Sequence, residues 1–214
     1  MHTEITEEIE EYCLAHSIQE DNLLYQLFRE TNLKVMNPRM LSGHLQGRLL
    51  SFIARLMHPQ YILEIGTYTG YASLCLAEGL IPNGYLHTIE INEELETIIQ
   101  KYVSQSPLRD KIILHIGDAK QIIPTLHEIW DLVFMDADKE DYIDYFELVF
   151  PRMRKGGIIL ADNVLWNGKV IEPLKSNDKD TQSLIRFNNY IQQDKRVQNF
   201  LLPIRDGLMV IEKL

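Results

Sequence analysis

Beyond Pro59 the chain alternates short runs of branched and apolar residues with segments of helix length. The apolar runs fall at residues 61–65, 85–90, 112–116, 131–136 and 158–161, with helical segments at 70–78, 92–104, 119–128 and 139–149 between them. Strands that are apolar on both sides need cover on both faces, and parallel neighbours need crossovers, so this pattern predicts β-α-β units. The fold class is therefore α/β, a doubly wound Rossmann-like sheet. A further helix is expected over 178–194, then two strands, 199–203 and 207–212, around the turn Arg205-Asp206-Gly207, which adds a C-terminal antiparallel hairpin. Residues 1–58 read as an N-terminal helical cap, with Leu41, Leu45, Leu49, Phe52, Ile53 and Leu56 forming an apolar face and Ser42 near the helix start. Residues 164–179, holding Trp166, Gly168 and Pro173 among many polar side chains, read as a long mobile loop. A length of 214 residues suits one domain, cap 1–58 and core 59–214.

Charge narrows the function. Lys and Arg number 21 against 31 Asp and Glu, a net charge of −10, so the chain lacks the positive field that gathers nucleic acid or anionic membrane. The opening residues are acidic rather than basic or apolar, and no apolar stretch is long enough to span a bilayer. Cys13 and Cys75 stand apart from any Cys or His cluster and read as reduced thiols of a cytoplasmic protein. The seven His residues show no zinc spacing, and there is no G-x-S-x-G nucleophile elbow. Met36 and Met40, taken alone, read as core fillers.

In an open parallel sheet the ligand lies beyond the carboxyl ends of the strands. After the first run comes Glu64-Ile65-Gly66-Thr67-Tyr68-Thr69-Gly70, whose glycine spacing permits a tight turn but matches no pyrophosphate or triphosphate loop. Glu64 would repel phosphate yet accept from an ammonium group. The second run ends at Glu90, placed to accept ribose hydroxyls, and the third at Gly117-Asp118-Ala119, where Asp118 either accepts from an adenine amine or caps the next helix. An amino-acid head, a ribose and an adenine together describe S-adenosylmethionine.

The fourth run ends in Asp136-Ala137-Asp138-Lys139 and the fifth in Asp162-Asn163. Neighbouring strand ends would bring Asp136, Asp162 and Asn163 together as hard oxygen ligands for Mg²⁺ or a similar cation. Lys139 could lean back to the same spot, where a cation lowers its pKa and makes it a general base. The plainer alternative is a helix-capping Asp138, a solvated Lys139 and a simple turn at Asp162-Asn163.

Three stretches resemble the cation-dependent S-adenosylmethionine O-methyltransferases, a class that includes catechol and caffeoyl-CoA methyltransferases: residues 63–71 (LEIGTYTGY), 131–139 (DLVFMDADK) and 161–168 (ADNVLWNG). Asp138 and the Leu-Trp-Asn-Gly loop are more similar to the caffeoyl-CoA branch. The resemblance runs from about Val35 onward. It implies that Asp136, Asp162 and Asn163 bind Mg²⁺ (or Ca²⁺ or Mn²⁺) and that Lys139 is the catalytic base. Met40, Ser42, Glu64, Gly66, Tyr68, Glu90, Asp118, Ala119 and Asp136 would line the cofactor site, and Trp166 and Asn188 would meet a small aromatic vicinal-diol acceptor. Where relatives often place a serine after Gly-Tyr, this chain has Ala72 and then Ser73. The resemblance also implies a homodimer. Two other readings stay open: a tRNA 5-hydroxyuridine O-methyltransferase with the same apparatus, and a noncatalytic S-adenosylmethionine-binding protein. A dinucleotide-dependent dehydrogenase would need the phosphate loop this chain lacks.

Overall fold

All five apolar runs become strands, and the two C-terminal ones follow. The computed structural model describes residues 6–214, so the acidic opening at residues 1–5 lies outside the described residues. Strands β1 (Tyr61–Ile65), β2 (Tyr85–Glu90), β3 (Ile112–Ile116), β4 (Trp130–Met135), β5 (Met153–Asp162), β6 (Val197–Leu202) and β7 (Leu208–Lys213) form one sheet in the order β3-β2-β1-β4-β5-β7-β6. The first five are parallel, and β7 runs antiparallel to both β5 and β6. The chain builds outward from β1 through β2 to β3, then returns to β4 on the other side. The point of reversal is the crevice between the ends of β1 and β4.

Helices cover both faces. The chain supplies α1 (Glu7–Ala15), α2 (Asn22–Lys34), α3 (Gly43–Met57), α4 (Tyr71–Ala77), α5 (Glu96–Gln105), α6 (Ala119–Ile122), α7 (Tyr142–Val149) and α8 (Lys179–Gln193). Successive residues of β4 feed opposite layers: Leu132 and Phe134 pack with residues of α2, α3 and α4, while Val133 and Met135 pack with α7 and α8. Burial on both sides is what made these runs continuously apolar.

Four expectations need correction. The helix expected over 119–128 is a single turn, α6, followed by a 3-10 turn at Ile123–Thr125, because Pro124 carries no N–H to continue the ladder. Strand β5 starts at Met153, five residues early: Arg154-Lys155-Gly156-Gly157 carries no apolar signature, and the pairing with β4 shifts register between Trp130 and Leu132. Helix α3 buries Gln46, Gly47, Leu50, Ser51 and Ala54 most deeply; of the expected stripe, Leu41 is buried just before the helix and Leu49 and Ile53 pack only partly against the core. Phe52 and Leu56 are exposed. Small residues win this face because α4 approaches closely; a Cβ on Gly47 would lie 2.7 Å from the Tyr71 ring. Met36 and Met40, read as core fillers, are both exposed, the latter on a 3-10 turn at Pro38–Met40. Both cysteines are free thiols, and among the described residues no helix is long and apolar enough to cross a membrane.

Candidate active site

Two strand tips meet at the crevice between β1 and β4. Gly66 sits at φ +97°, and a Cβ there would fall 2.2 Å from the carbonyl oxygen of Asp136. The sequence offered this glycine as part of a tight turn and, by resemblance, of the cofactor site. Its nearer constraint is the backbone of the neighbouring strand end, with Asp136 N–H donating to Ile65 O at 2.9 Å.

Glu64 and Glu90, which as strand-end carboxylates would ordinarily be solvated, are both buried. Glu64 Oε2 accepts from the hydroxyls of Ser73 and, at 2.6 Å, Thr88; Glu64 Oε1 is buried with no partner. Burial is the main force on this carboxyl, opposed by those hydroxyls and reinforced by Asp136 and Glu90; it pushes the pKa from 4.5 up to about 8. The Glu90 carboxylate accepts from the N–H groups of Tyr68 (2.7 Å) and Asn92 (2.9 Å). Tyr68, itself at φ +51°, donates its hydroxyl toward the carbonyls of Met36 (3.1 Å) and Asn37 (3.2 Å), tying the β1 turn to the segment that carries Met40. Ser42 occupies the N-cap position of α3 and is buried, but its side chain makes no cap bond. Asp118 does cap: its Oδ1 accepts from Lys120 N at 2.8 Å, with Ala119 buried beside it.

The raised pKa of Glu64 has a consequence for stability. The folded ligand-free chain holds this proton up to about pH 8, whereas the unfolded chain releases it near 4.5. The stabilisation is complete below about 4.5 and is lost as pH climbs from there through about 8. Glu64→Gln should remove that slope. In thermal melts without cofactor, the variant is expected to gain on the parent between pH 5 and pH 8 by on the order of a few kcal/mol. Parallel pH profiles would refute it.

Met135 pairs with Ala161, so the next residues, Asp136 and Asp162, are adjacent strand tips. Asp138 caps the following 3-10 turn through Glu140 N (3.0 Å), as the plain alternative had it, but Lys139 is not solvated. It is 7% exposed, with Nζ donating to Asp136 Oδ1 (2.9 Å) and to the hydroxyl of Tyr142 (2.7 Å). Burial pulls the lysine pKa down, but the charge of Asp136 and the bonds to Asp136 and Tyr142 outweigh it, and the amine sits above its ordinary value. Tyr142 Oη lies 3.1 Å from Met135 O and 2.9 Å from Asp162 O, so one buried phenol spans both strand tips.

Asp162 is 2% exposed. Burial, then the nearby charge of Asp136, raises its carboxyl to about 6. Its Oδ2 accepts from Gln46 Nε2 at 2.5 Å and its Oδ1 from Asn163 N at 2.9 Å. Asp136 and Asp162, at adjacent strand tips with Asn163 next in the chain, are the oxygen-bearing side chains that could hold a hard cation. Among the described residues no group of three or more His, Cys, Asp and Glu side chains is poised around one point, so this set rests on two carboxylates and the Asn163 amide.

Asn163, Trp166 and Asn167 all adopt left-handed φ, +59°, +50° and +52°. Asparagine tolerates that region; a tryptophan there is strained, and such strain concentrates at working sites. Trp166 is half-buried against the core. Asn188 Nδ2 donates to Val164 O at 3.0 Å, fastening α8 to this loop, while its Oδ1 has no partner.

Sequence reasoning missed Gln46, Thr88 and Tyr142, and noted Ser73 only as the serine one place beyond its usual position. Only Tyr142 left a local signal, standing one helical turn after Lys139.

A model of a family described as O-methyltransferase matches residues 14–214. Probable caffeoyl-CoA O-methyltransferase 2 of Dictyostelium discoideum is 30% identical over 208 residues, covering 95% of this chain and 90% of that protein. Catechol O-methyltransferase of Niastella koreensis is 33% identical over 163 residues, 74% of this chain and 73% of that one. Among solved structures, the O-methyltransferase TomG of Streptomyces achromogenes, in complex with SAM, is 28% identical with a TM-score of 0.89 and 96% of each chain covered. An O-methyltransferase of Bacillus cereus in complex with SAH is 27% identical, with a TM-score of 0.90 over 97% of each chain.

Proposed function

This chain belongs to the O-methyltransferase family, and from that premise we propose that it moves a methyl group from S-adenosylmethionine to one hydroxyl of a small aromatic vicinal diol of the catechol or caffeoyl type, with a divalent cation in the acceptor site. The observation that carries the reading is the buried Lys139 paired with the partly exposed Asp136, beside the buried Asp162, at the tip of the strand next to β1. The orphaned Glu64 Oε1 fits the ammonium of an amino-acid head, and Glu90 has acceptor capacity left for ribose hydroxyls.

Asp136, Asp162 and Asn163 would hold the cation. When bound, it supplies positive charge that makes a chelated hydroxyl more acidic, and S-adenosylmethionine supplies a methyl on a sulfonium. A free phenol of pKa near 10 is almost fully protonated at neutral pH, so a group must take that proton. Lys139 takes it at Nζ. While the Asp136 carboxylate faces it the amine stays protonated; once that carboxylate is engaged elsewhere, the burial of Lys139 is opposed less and moves the amine down toward the range of a base. Trp166 and Met40 would limit water around the acceptor, and Asn188 ties α8 to the loop that carries Trp166.

The testing experiment is a labelled-methyl screen against caffeoyl-CoA, caffeate, simple catechols and undermodified tRNA, each with and without Mg²⁺. Transfer to a catechol-type acceptor is expected, falling by about a hundredfold or more after EDTA and returning when Mg²⁺ is restored. Turnover that survives chelation removes the cation from the reading. Transfer to tRNA alone moves the acceptor to a hydroxylated uridine, against the net charge of −10. Cofactor binding without transfer to any acceptor leaves a noncatalytic binding protein.

A further inference from the structure

The turn Arg205-Asp206-Gly207 entered the sequence reading only as a link between two strands, yet its arginine reaches the elements that flank the crevice. Arg205 is held in a left-handed conformation, φ +48°, unusual for a residue with a long side chain. Its guanidinium donates to the carbonyl oxygens of Leu41 (3.2 Å) and Ser42 and to Oε1 of Gln46. Gln46 is 2% exposed, and its Nε2 donates to Asp162 Oδ2.

The two ends of an amide are chemically distinct: the oxygen accepts and the nitrogen donates. A guanidinium on the oxygen leaves only the nitrogen to face Asp162, so Arg205 decides which way the amide of Gln46 points. Asp136 repels Asp162, and a carboxylate held only at Oδ1 by the Asn163 N–H would be freer to turn away. A neutral donor restrains it without cancelling its charge. Were the guanidinium itself against Asp162, it would compete with any cation; placed one residue back, it supplies order alone.

We propose that Gln46, oriented by Arg205, is a positioning residue that sets the Asp162 carboxylate for the divalent cation, an inference that rests on the cation reading above. The test is Mn²⁺ titration of the full-length protein followed by the electron paramagnetic resonance signal of free Mn²⁺. The proteins are the parent, Gln46→Met, Gln46→Glu, Arg205→Ala and the double variant Gln46→Met with Arg205→Ala. Loss of a partner behind a ligand typically weakens metal binding about 10- to 100-fold, and that is expected of both Gln46 variants, with S-adenosylhomocysteine affinity of Gln46→Met within about twofold of the parent. Arg205→Ala, at an exposed turn, should weaken Mn²⁺ in the same direction, and it carries the test if a Gln46 variant folds poorly. Because both residues act through one hydrogen bond, the double variant should be no weaker than Gln46→Met alone. Single variants that bind Mn²⁺ as the parent does overturn the proposal, as does a double variant whose loss is the product of the two. A parent that binds no Mn²⁺ overturns the cation reading and this inference with it.

Discussion

Lys139→Met is expected to lower methyl transfer to a catechol-type acceptor by about 10²–10⁴-fold, the range for removal of a positioned general base. Cofactor affinity should hardly change, because Glu64, Glu90 and Tyr68, which would carry it, bond elsewhere. The two effects separate in single-turnover rates against equilibrium titration of S-adenosylmethionine. Methionine fills the volume of the lysine stem, but the change leaves Asp136 and the Tyr142 hydroxyl without their shared donor. A modest fall in melting temperature should therefore accompany the loss of rate. A rate law that becomes first order in hydroxide across the neutral range would mark the missing base. Parent-like turnover would remove Lys139 from the chemistry.

Gly66→Ala should be the more damaging change to the fold. The added methyl would have to occupy a point 2.2 Å from the Asp136 carbonyl oxygen, and the residue would have to hold φ +97°, a region that side chains disfavour. Neither obstacle yields by rotating a flexible side chain, since the opposing atom is backbone. The strand tips must separate, breaking the bond from Asp136 N to Ile65 O. The expected cost is about 3 kcal/mol or more, a drop of roughly 10 °C in a chain of this size, with cofactor affinity falling by at least about tenfold. Differential scanning calorimetry and cofactor titration read both. Alanine at the parent's melting temperature would mean that β1 and β4 are not locked at this point.

What the sequence discloses about this site is set by how the side chains are addressed. Glu90, Asp136 and Asp162 stand at the ends of apolar runs and Glu64 one residue before the end of its own, and a parallel sheet sends the ends of its strands to one rim, so position in the pattern is enough to gather them. Lys139 follows by its short distance from Asp136. Gln46, Ser73 and Thr88 are legible in no such way. Each reaches its partner because two separately encoded elements pack face to face, and the packing partner is chosen by shape. Helix α3 illustrates the difficulty: its most apolar stripe is not the one it buries, since a glycine, a serine and an alanine let α4 approach more closely than leucines would. The extra length of β5 was hidden for a related reason, because the backbone pairing of Met153–Asp162 continues through charged residues and glycines that leave no alternation to read.

The position of β7 between β5 and β6 bears on how the protein comes into being. Asp162 closes β5, and β5 lacks its second neighbour until residues 208–213 have left the ribosome. Until then β1 to β3 can pair with one another while β5 borders on an open sheet edge. On the proposed reading, the strands that would carry the cofactor are synthesised well before the strand that flanks the tip which would order an acceptor.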